Sequence, residues 1–310
     1  MFIKNQIDHL VNVAVTYRAT VAGKKVESMD EPEITSAIVT ELPSLLNRMI
    51  WPQTGIRFGG CFIHKKPKAH FKTKSGKDVS REVGDILVVC RQQIDGIETF
   101  NAALLQMKMH RGGGDHHTIK DEDEKEQLEL YQNWPDFYCR RNKKDTSFNI
   151  YPKTPHPGAQ YGIIEKKRGS DIVVFHATSS DNLYLQPEHS FGGLVYDFVM
   201  MQNGRAFTQR NQKEKDEWSR LIWYLLDISW LGVYKLKSLR LTDQQMISGD
   251  FFNLYQLMYS VDSEELLEKV IRADNIDSKG DDVDEGIPIF FISIDDNIDK
   301  MISKYRDSFW

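Results

Sequence analysis

The sequence predicts a mixed α/β fold built on a central sheet, and three observations carry that expectation. Two apolar runs, 84–92 and 102–109, flank the turn signal Gln93-Ile94-Asp95-Gly96 and read as a buried hairpin. Ahead of them a helix start is written at Asp30, followed by an apolar stripe at helical spacing. Behind them, helix-like and strand-like segments continue to alternate as far as Ile294.

Taken in order, residues 2–21 alternate loosely, with Val11, Val13, Val15 and Tyr17 at period two, which predicts a strand after a short helical turn. Asp30 can cap a helix whose first turn holds Pro32, with Ile34, Ile38, Leu42, Leu45 and Met49 along one face, and Pro52 ends it. A strand over 56–72 precedes the hairpin, and the tract Gly112-Gly113-Gly114 after it predicts a loop. A charged segment from Asp121 leads into a helix that reaches Trp134 and stops at Pro135. Pro152, Pro155 and Pro157 mark a further loop, followed by a strand at 171–177 and a helix at 192–201. A long helix over 213–231 faces inward through Trp218, Leu221, Ile222, Leu225 and Leu226. Helices at 251–259 and 264–271, an acidic loop at 280–286, a strand at 287–294 and a last helix complete the reading. The expected organisation is a core over 1–160 with an α+β region, 161–310, mainly helical, packed on it.

The 310 residues are 40% apolar and 27% charged, which excludes a disordered chain and leaves ample material for a core. No apolar run approaches the roughly 20 residues of a membrane span, and residues 1–17 lack the pattern of a secretory signal. Cys61, Cys90 and Cys139 lie far apart without CxxC spacing, so a cytoplasmic protein with unpaired thiols is expected.

The net charge of −5 is unevenly spread. From Arg57 to Arg81, eight basic residues (Arg57, Lys65, Lys66, Lys68, Lys72, Lys74, Lys77, Arg81) face one acid, Asp78. Arg140, Arg141, Lys143 and Lys144 form a second basic cluster, while Asp281, Asp282, Asp284 and Glu285 bunch near the other end. Such segregation lets an acidic molecule present a basic face to phosphates. Lys65, Lys66, Lys68, Arg140, Arg141, Lys143 and Lys144 are the expected nucleic-acid contacts, the arginines being able to grip phosphate bidentately.

The chemistry lies in the hairpin. Asp85 stands at the mouth of the run Ile86-Leu87-Val88-Val89, while Gln106 and Lys108 interrupt the equally apolar run Ala103-Leu104-Leu105-Gln106-Met107-Lys108. Residues two apart on a strand share a face, so Gln106 and Lys108 point the same way. Polar groups in a buried strand need partners, and an acid on the adjacent strand supplies one.

This arrangement resembles the PD-(D/E)xK restriction-endonuclease-like nucleases, whose pattern is an acidic helix, a strand bearing Asp, a turn, a strand ending in (D/E)xK, and a helix behind. Gln106-Met107-Lys108 is similar to the QxK variant of the group containing the Mrr-type restriction enzymes. The resemblance covers roughly residues 28–140. It implies a restriction-endonuclease-like mixed sheet flanked by helices and a Mg²⁺-dependent nuclease, with Mn²⁺ as an alternative ion. DNA is favoured over RNA, and the implied cellular role is prokaryotic defence or restriction. It further implies that Asp85 and Glu33 hold the metal, with Glu31 or Glu41 as alternatives to Glu33. Gln106 and the Met107 carbonyl would complete the ligand set, and Lys108 would position the attacking water. Gln106 replaces the more common acid, and a neutral amide oxygen binds Mg²⁺ more weakly than a carboxylate.

Competing readings exist for each piece. Glu33, three residues after Asp30, fits a capping box, and Lys108 with Asp85 fits a structural ion pair. Asp115-His116-His117 reads as a loop near the site rather than a metal centre, and Gln127, Tyr131 and Trp134 fall at helical spacing behind it. The alternative to an enzyme is a nuclease fold that has lost its chemistry and serves as a nucleic-acid or protein binding module. A protein partner for 161–310, or a second copy of the chain, is compatible with the sequence.

Overall fold

A computed structural model describes residues 2–49, 55–63, 66–110, 117–141, 143–153, 157–166, 172–178, 183–185, 187–210, 216–238, 247–259 and 286–295. The chain begins with α1 (Phe2–Val21), a 3₁₀ turn (Val26–Ser28), α2 (Glu31–Thr40), α3 (Leu42–Met49) and β1 (Ile56–Cys61). There follow β2 (Lys68–Lys72), β3 (Asp78–Glu82), the hairpin β4 (Ile86–Ile94) and β5 (Ile97–Met109), β6 (His117–Thr118) and α4 (Glu122–Asn133). Next come β7 (Phe137–Arg141), β8 (Lys144–Phe148), β9 (Ala159–Lys166), β10 (Ile172–Thr178), β11 (Tyr184–Leu185) and β12 (His189–Ser190). The described part ends with α5 (Phe191–Val199), β13 (Arg205–Ala206), α6 (Glu217–Ser238), β14 (Ile247–Gly249), α7 (Phe251–Tyr259) and β15 (Ile289–Ile294).

The expected α/β class holds. A mixed sheet runs in the order β12-β10-β9-β5-β4-β15-β1-β14, with β13 paired to β5. β4 and β5 are antiparallel, whereas β5 with β9 and β4 with β15 are parallel. Period-two alternation splits the apolar side chains between two layers. Ile86, Val88, Ala103, Leu105 and Met107 pack with α1, α2 and α5, while Leu87, Val89, Ala102 and Leu104 pack with α4, α6 and α7. A second, antiparallel sheet, β3-β2-β7-β8, joins the latter layer through Ala69, Phe71, Phe137 and Phe148.

The hairpin turn follows from its sequence. Asp95 and Gly96 have φ of 51° and 76°, the pair of positive values a type I′ turn needs, and Ile94 faces Ile97 across it. At Gly60 a Cβ would lie 1.9 Å from the Val39 carbonyl oxygen, so glycine lets α2 press directly onto β1.

Three expectations change. Residues 2–21 form a helix, because Ile7, Leu10, Val11, Ala14 and Val15 are buried at helical spacing and outweigh the period-two valines. The strand foreseen over 56–72 is two strands in different sheets, β1 and β2. The helix foreseen from Asp30 to Pro52 is two helices, α2 and α3, separated at Glu41. Residues beyond 160 contribute to the central sheet: β9 straddles that point, and β15 lies between β4 and β1. The helix at 264–271, most of the acidic loop and the last helix lie outside the described residues. Among the described residues, no helix is long and apolar enough to cross a membrane.

Candidate functional site

Asp85 sits one residue before β4, and its amide donates to the Leu105 carbonyl at 2.8 Å, which continues the ladder and sets it opposite Gln106. The approach to it is anchored twice. The Val83 amide donates to the Pro67 carbonyl at 2.9 Å, and the Tyr131 hydroxyl of α4 donates to the Val83 carbonyl at 2.9 Å. A Cβ on Gly84 would stand 2.9 Å from that hydroxyl, so the glycine lets α4 close over the turn.

The Asp85 carboxylate is 1% exposed. Its Oδ2 accepts from the Met107 backbone N–H at 2.6 Å and from Gln106 Nε2, while Oδ1 pairs with the Lys66 ammonium. Lys66 also reaches Glu82 at 3.0 Å. Burial pushes the Asp85 carboxyl above its usual range, although Lys66 pulls the other way. Burial works against the Lys66 ammonium too, but Asp85 and Glu82 outweigh it and hold its pKa up.

Glu31, in the first turn of α2, joins this group electrostatically. Burial and then the charge of Asp85 push its carboxyl up to about 8, against the pull of Lys108 and Lys66. Three carboxyls, Glu31, Glu82 and Asp85, thus act on a common region with Lys66 and Lys108. Gln106 Oε1 is buried there without a hydrogen-bond partner among the described residues, and so is the hydroxyl of Tyr161, opposite Gln106 on β9.

The structure brings Asp85, Gln106 and Met107 together, and Lys108 lies within electrostatic reach through Glu31. Met107 enters through its N–H. Glu33 goes elsewhere: it completes the capping box with Asp30, at 3.0 Å in both directions, and pairs with Lys24. Glu41 accepts from Thr40 and stands 3.9 Å from Arg18. The helix acid that senses Asp85 is Glu31.

Of the basic residues expected at phosphate, Lys66 is instead drawn inside, its side chain 12% exposed. Lys68 is exposed on β2, across from Glu82. Arg140 is exposed and pairs with Asp145 at 2.7 Å, its guanidinium over the Tyr138 ring. Arg141, at 8% exposure, points into the interior, because β7 alternates and Arg140 takes the outer face. Lys143 and Lys144 are exposed at the β7–β8 turn, and Lys65 lies outside the described residues. Asp115 and His116 also fall outside them, but His117 is buried on β6 with its Nε2 3.5 Å from Glu124. Burial lowers its pKa.

No group of three or more His, Cys, Asp or Glu residues arranged to hold a metal occurs among the described residues. Mg²⁺ does not require one, since it keeps several waters and binds through one or two carboxylates. Asp85, Glu31 and Gln106 Oε1, which has no hydrogen-bond partner among the described residues, supply hard oxygen donors, so the residues fit such an ion. Comparison with family models, curated proteins and solved structures returned no match.

Lys66, Glu82 and Tyr161 carry no local signal of their place at the site. Nothing local separates Lys66 from Lys65 or Lys68, because its role arises only when the segment before β2 meets the start of β4. Tyr161 becomes a neighbour of Gln106 only through the parallel β5–β9 pairing.

Proposed function

We propose that the protein is a Mg²⁺-dependent nuclease with a restriction-endonuclease-like core, hydrolysing phosphodiester bonds of DNA at Asp85, Gln106 and Lys108, with Glu31 in place of Glu33 as the helix acid. The observation that carries the reading is a buried Asp85 carboxylate beside an amide oxygen with no hydrogen-bond partner among the described residues and a second carboxyl held up at about 8. A divalent ion bound there would polarise the phosphoryl oxygens and supply a nucleophilic water near neutral pH. Asp85 and Glu31 would hold it, Gln106 would complete the donor set, and Lys108 would orient the water and offset charge on the phosphate. Exposed Lys68, Arg140, Lys143 and Lys144 are the residues available to meet the strand's phosphates.

The test is cleavage of plasmid and single-stranded DNA in Mg²⁺, Mn²⁺ or EDTA by wild type, Asp85→Ala and Lys108→Ala. Metal-dependent cutting that either substitution reduces at least a hundredfold is expected. Undiminished cutting by both variants, or cutting in EDTA, would refute the assignment. One observation favours a second reading, a binding module without chemistry: both oxygens of Asp85 are already engaged by Lys66, Gln106 and Met107. DNA binding by a well-folded wild type that cuts under no metal would establish that alternative.

A further inference from the structure

We propose that the Lys66 ammonium is a built-in competitor for the divalent cation: it occupies the Asp85 carboxylate at rest and must leave when the ion binds. The inference rests on the cation reading of the site given above.

Lys66 stands out from the basic residues around it. Lys68, two positions on, is exposed, whereas Lys66 is turned inward and bridges two carboxylates, Asp85 and, at 3.0 Å, Glu82. Its backbone neighbour is held in place, since Pro67 accepts the Val83 amide at 2.9 Å. The side chain itself is a long, flexible stem. An ammonium and a hard divalent cation seek the same charged oxygens, and Asp85 Oδ1 cannot serve both at full strength. Asp85 Oδ2 is no substitute, because the Met107 N–H and Gln106 Nε2 already occupy it.

Glu82 gives the displaced ammonium somewhere to go. Its side chain is 41% exposed, so Lys66 can keep that partner while surrendering Asp85, with its charge turned toward the outside. A resting chain therefore avoids leaving Asp85 as an unpaired buried charge, which would be strongly destabilising. The cost is weakened metal binding, since every ion must first displace the lysine.

The experiment measures Mn²⁺ binding to the full chain by the paramagnetic resonance of free Mn²⁺, for wild type, Lys66→Met, Lys66→Gln and Lys68→Met. Lys66→Gln retains a hydrogen-bond donor, and circular dichroism melts establish which variants are folded. Both Lys66 variants should bind Mn²⁺ at least tenfold more tightly than wild type, and Lys68→Met, with the same charge change on an exposed site, within twofold of it. A wild type that binds Mn²⁺ while the Lys66 variants bind no more tightly overturns this inference and leaves the cation site standing. Equal tightening in Lys68→Met overturns it as well, since net charge alone would then be responsible. Absence of Mn²⁺ binding in every protein overturns the cation reading and this inference with it. A second readout needs no variant: acetic anhydride labelling of wild-type Lys66, relative to Lys68, should rise severalfold on adding Mn²⁺. Unchanged or reduced labelling counts against displacement.

Discussion

Replacing Glu31 by Gln should stabilise the metal-free protein in alkaline solution and leave it nearly unchanged in acid. Glu31 is half-buried at the start of α2, and burial together with the charge of Asp85 lifts its carboxyl from 4.5 to about 8. Between those values the folded protein keeps a proton that the unfolded chain has released, so stability falls as pH rises through that window. Below it both states are protonated and the group costs nothing; above pH 8 the full cost is present. At about 1.4 kcal/mol for each pH unit, the ceiling is about 5 kcal/mol. Water reaching a partly exposed carboxyl screens some of this, so an effect of about 2–3 kcal/mol at pH 8.5 is the working figure. Glutamine imitates the protonated acid in shape and neutrality, and removes the titration. Urea unfolding of both proteins in EDTA, at pH 5 and pH 8.5, gives the comparison. A stability difference of the same size at both pH values, or a less stable Glu31→Gln protein at pH 8.5, would refute the raised Glu31 carboxyl.

Two further substitutions probe the scaffold under the site. Tyr131→Phe deletes the bond from α4 to the Val83 carbonyl at 2.9 Å and leaves a buried acceptor unpaired, so a loss of about 1–3 kcal/mol in urea unfolding is expected. Unchanged stability would mean that α4 does not hold the turn before Asp85. Gly60→Ala drives a Cβ to within 1.9 Å of the Val39 carbonyl and should cost about 1–3 kcal/mol by overpacking α2 against β1. A protein as stable as wild type would show that α2 moves away freely.

The parts of this molecule legible in its sequence are those whose causes are local. The α2 capping box is written in Asp30 and Glu33, and the β4–β5 hairpin in Asp95-Gly96 between apolar runs. The QxK strand is likewise local, because period two alone puts Gln106 and Lys108 on one face. α1 was legible too, in the spacing of Ile7, Leu10, Val11, Ala14 and Val15, but the valines at 11, 13 and 15 carry a competing period-two pattern. Choosing Glu31 over Glu33 needs the rotation of α2 about its axis. The capping box offers a hint here, because it commits Glu33 to the helix end. Lys66, Tyr161 and the inward turn of Arg141 depend on which segments meet in space, and no local pattern encodes that.

The placement of β15 has a consequence for how the molecule comes to exist. Residues 289–294 lie between β1 and β4, strands formed from residues 56–61 and 86–94, and pair with both along their whole length. A chain emerging from the ribosome therefore carries two apolar strands with unsatisfied edges until some two hundred further residues have been made. Contacts that distant in sequence fold slowly, and bare edges of this kind recruit other chains. The gap reaches the candidate acid itself, since the Leu87 amide, two residues beyond Asp85, donates to the Pro288 carbonyl at 2.8 Å. A fragment cut after the hairpin would keep every residue of the QxK pattern and lose the strand that holds its acid in line.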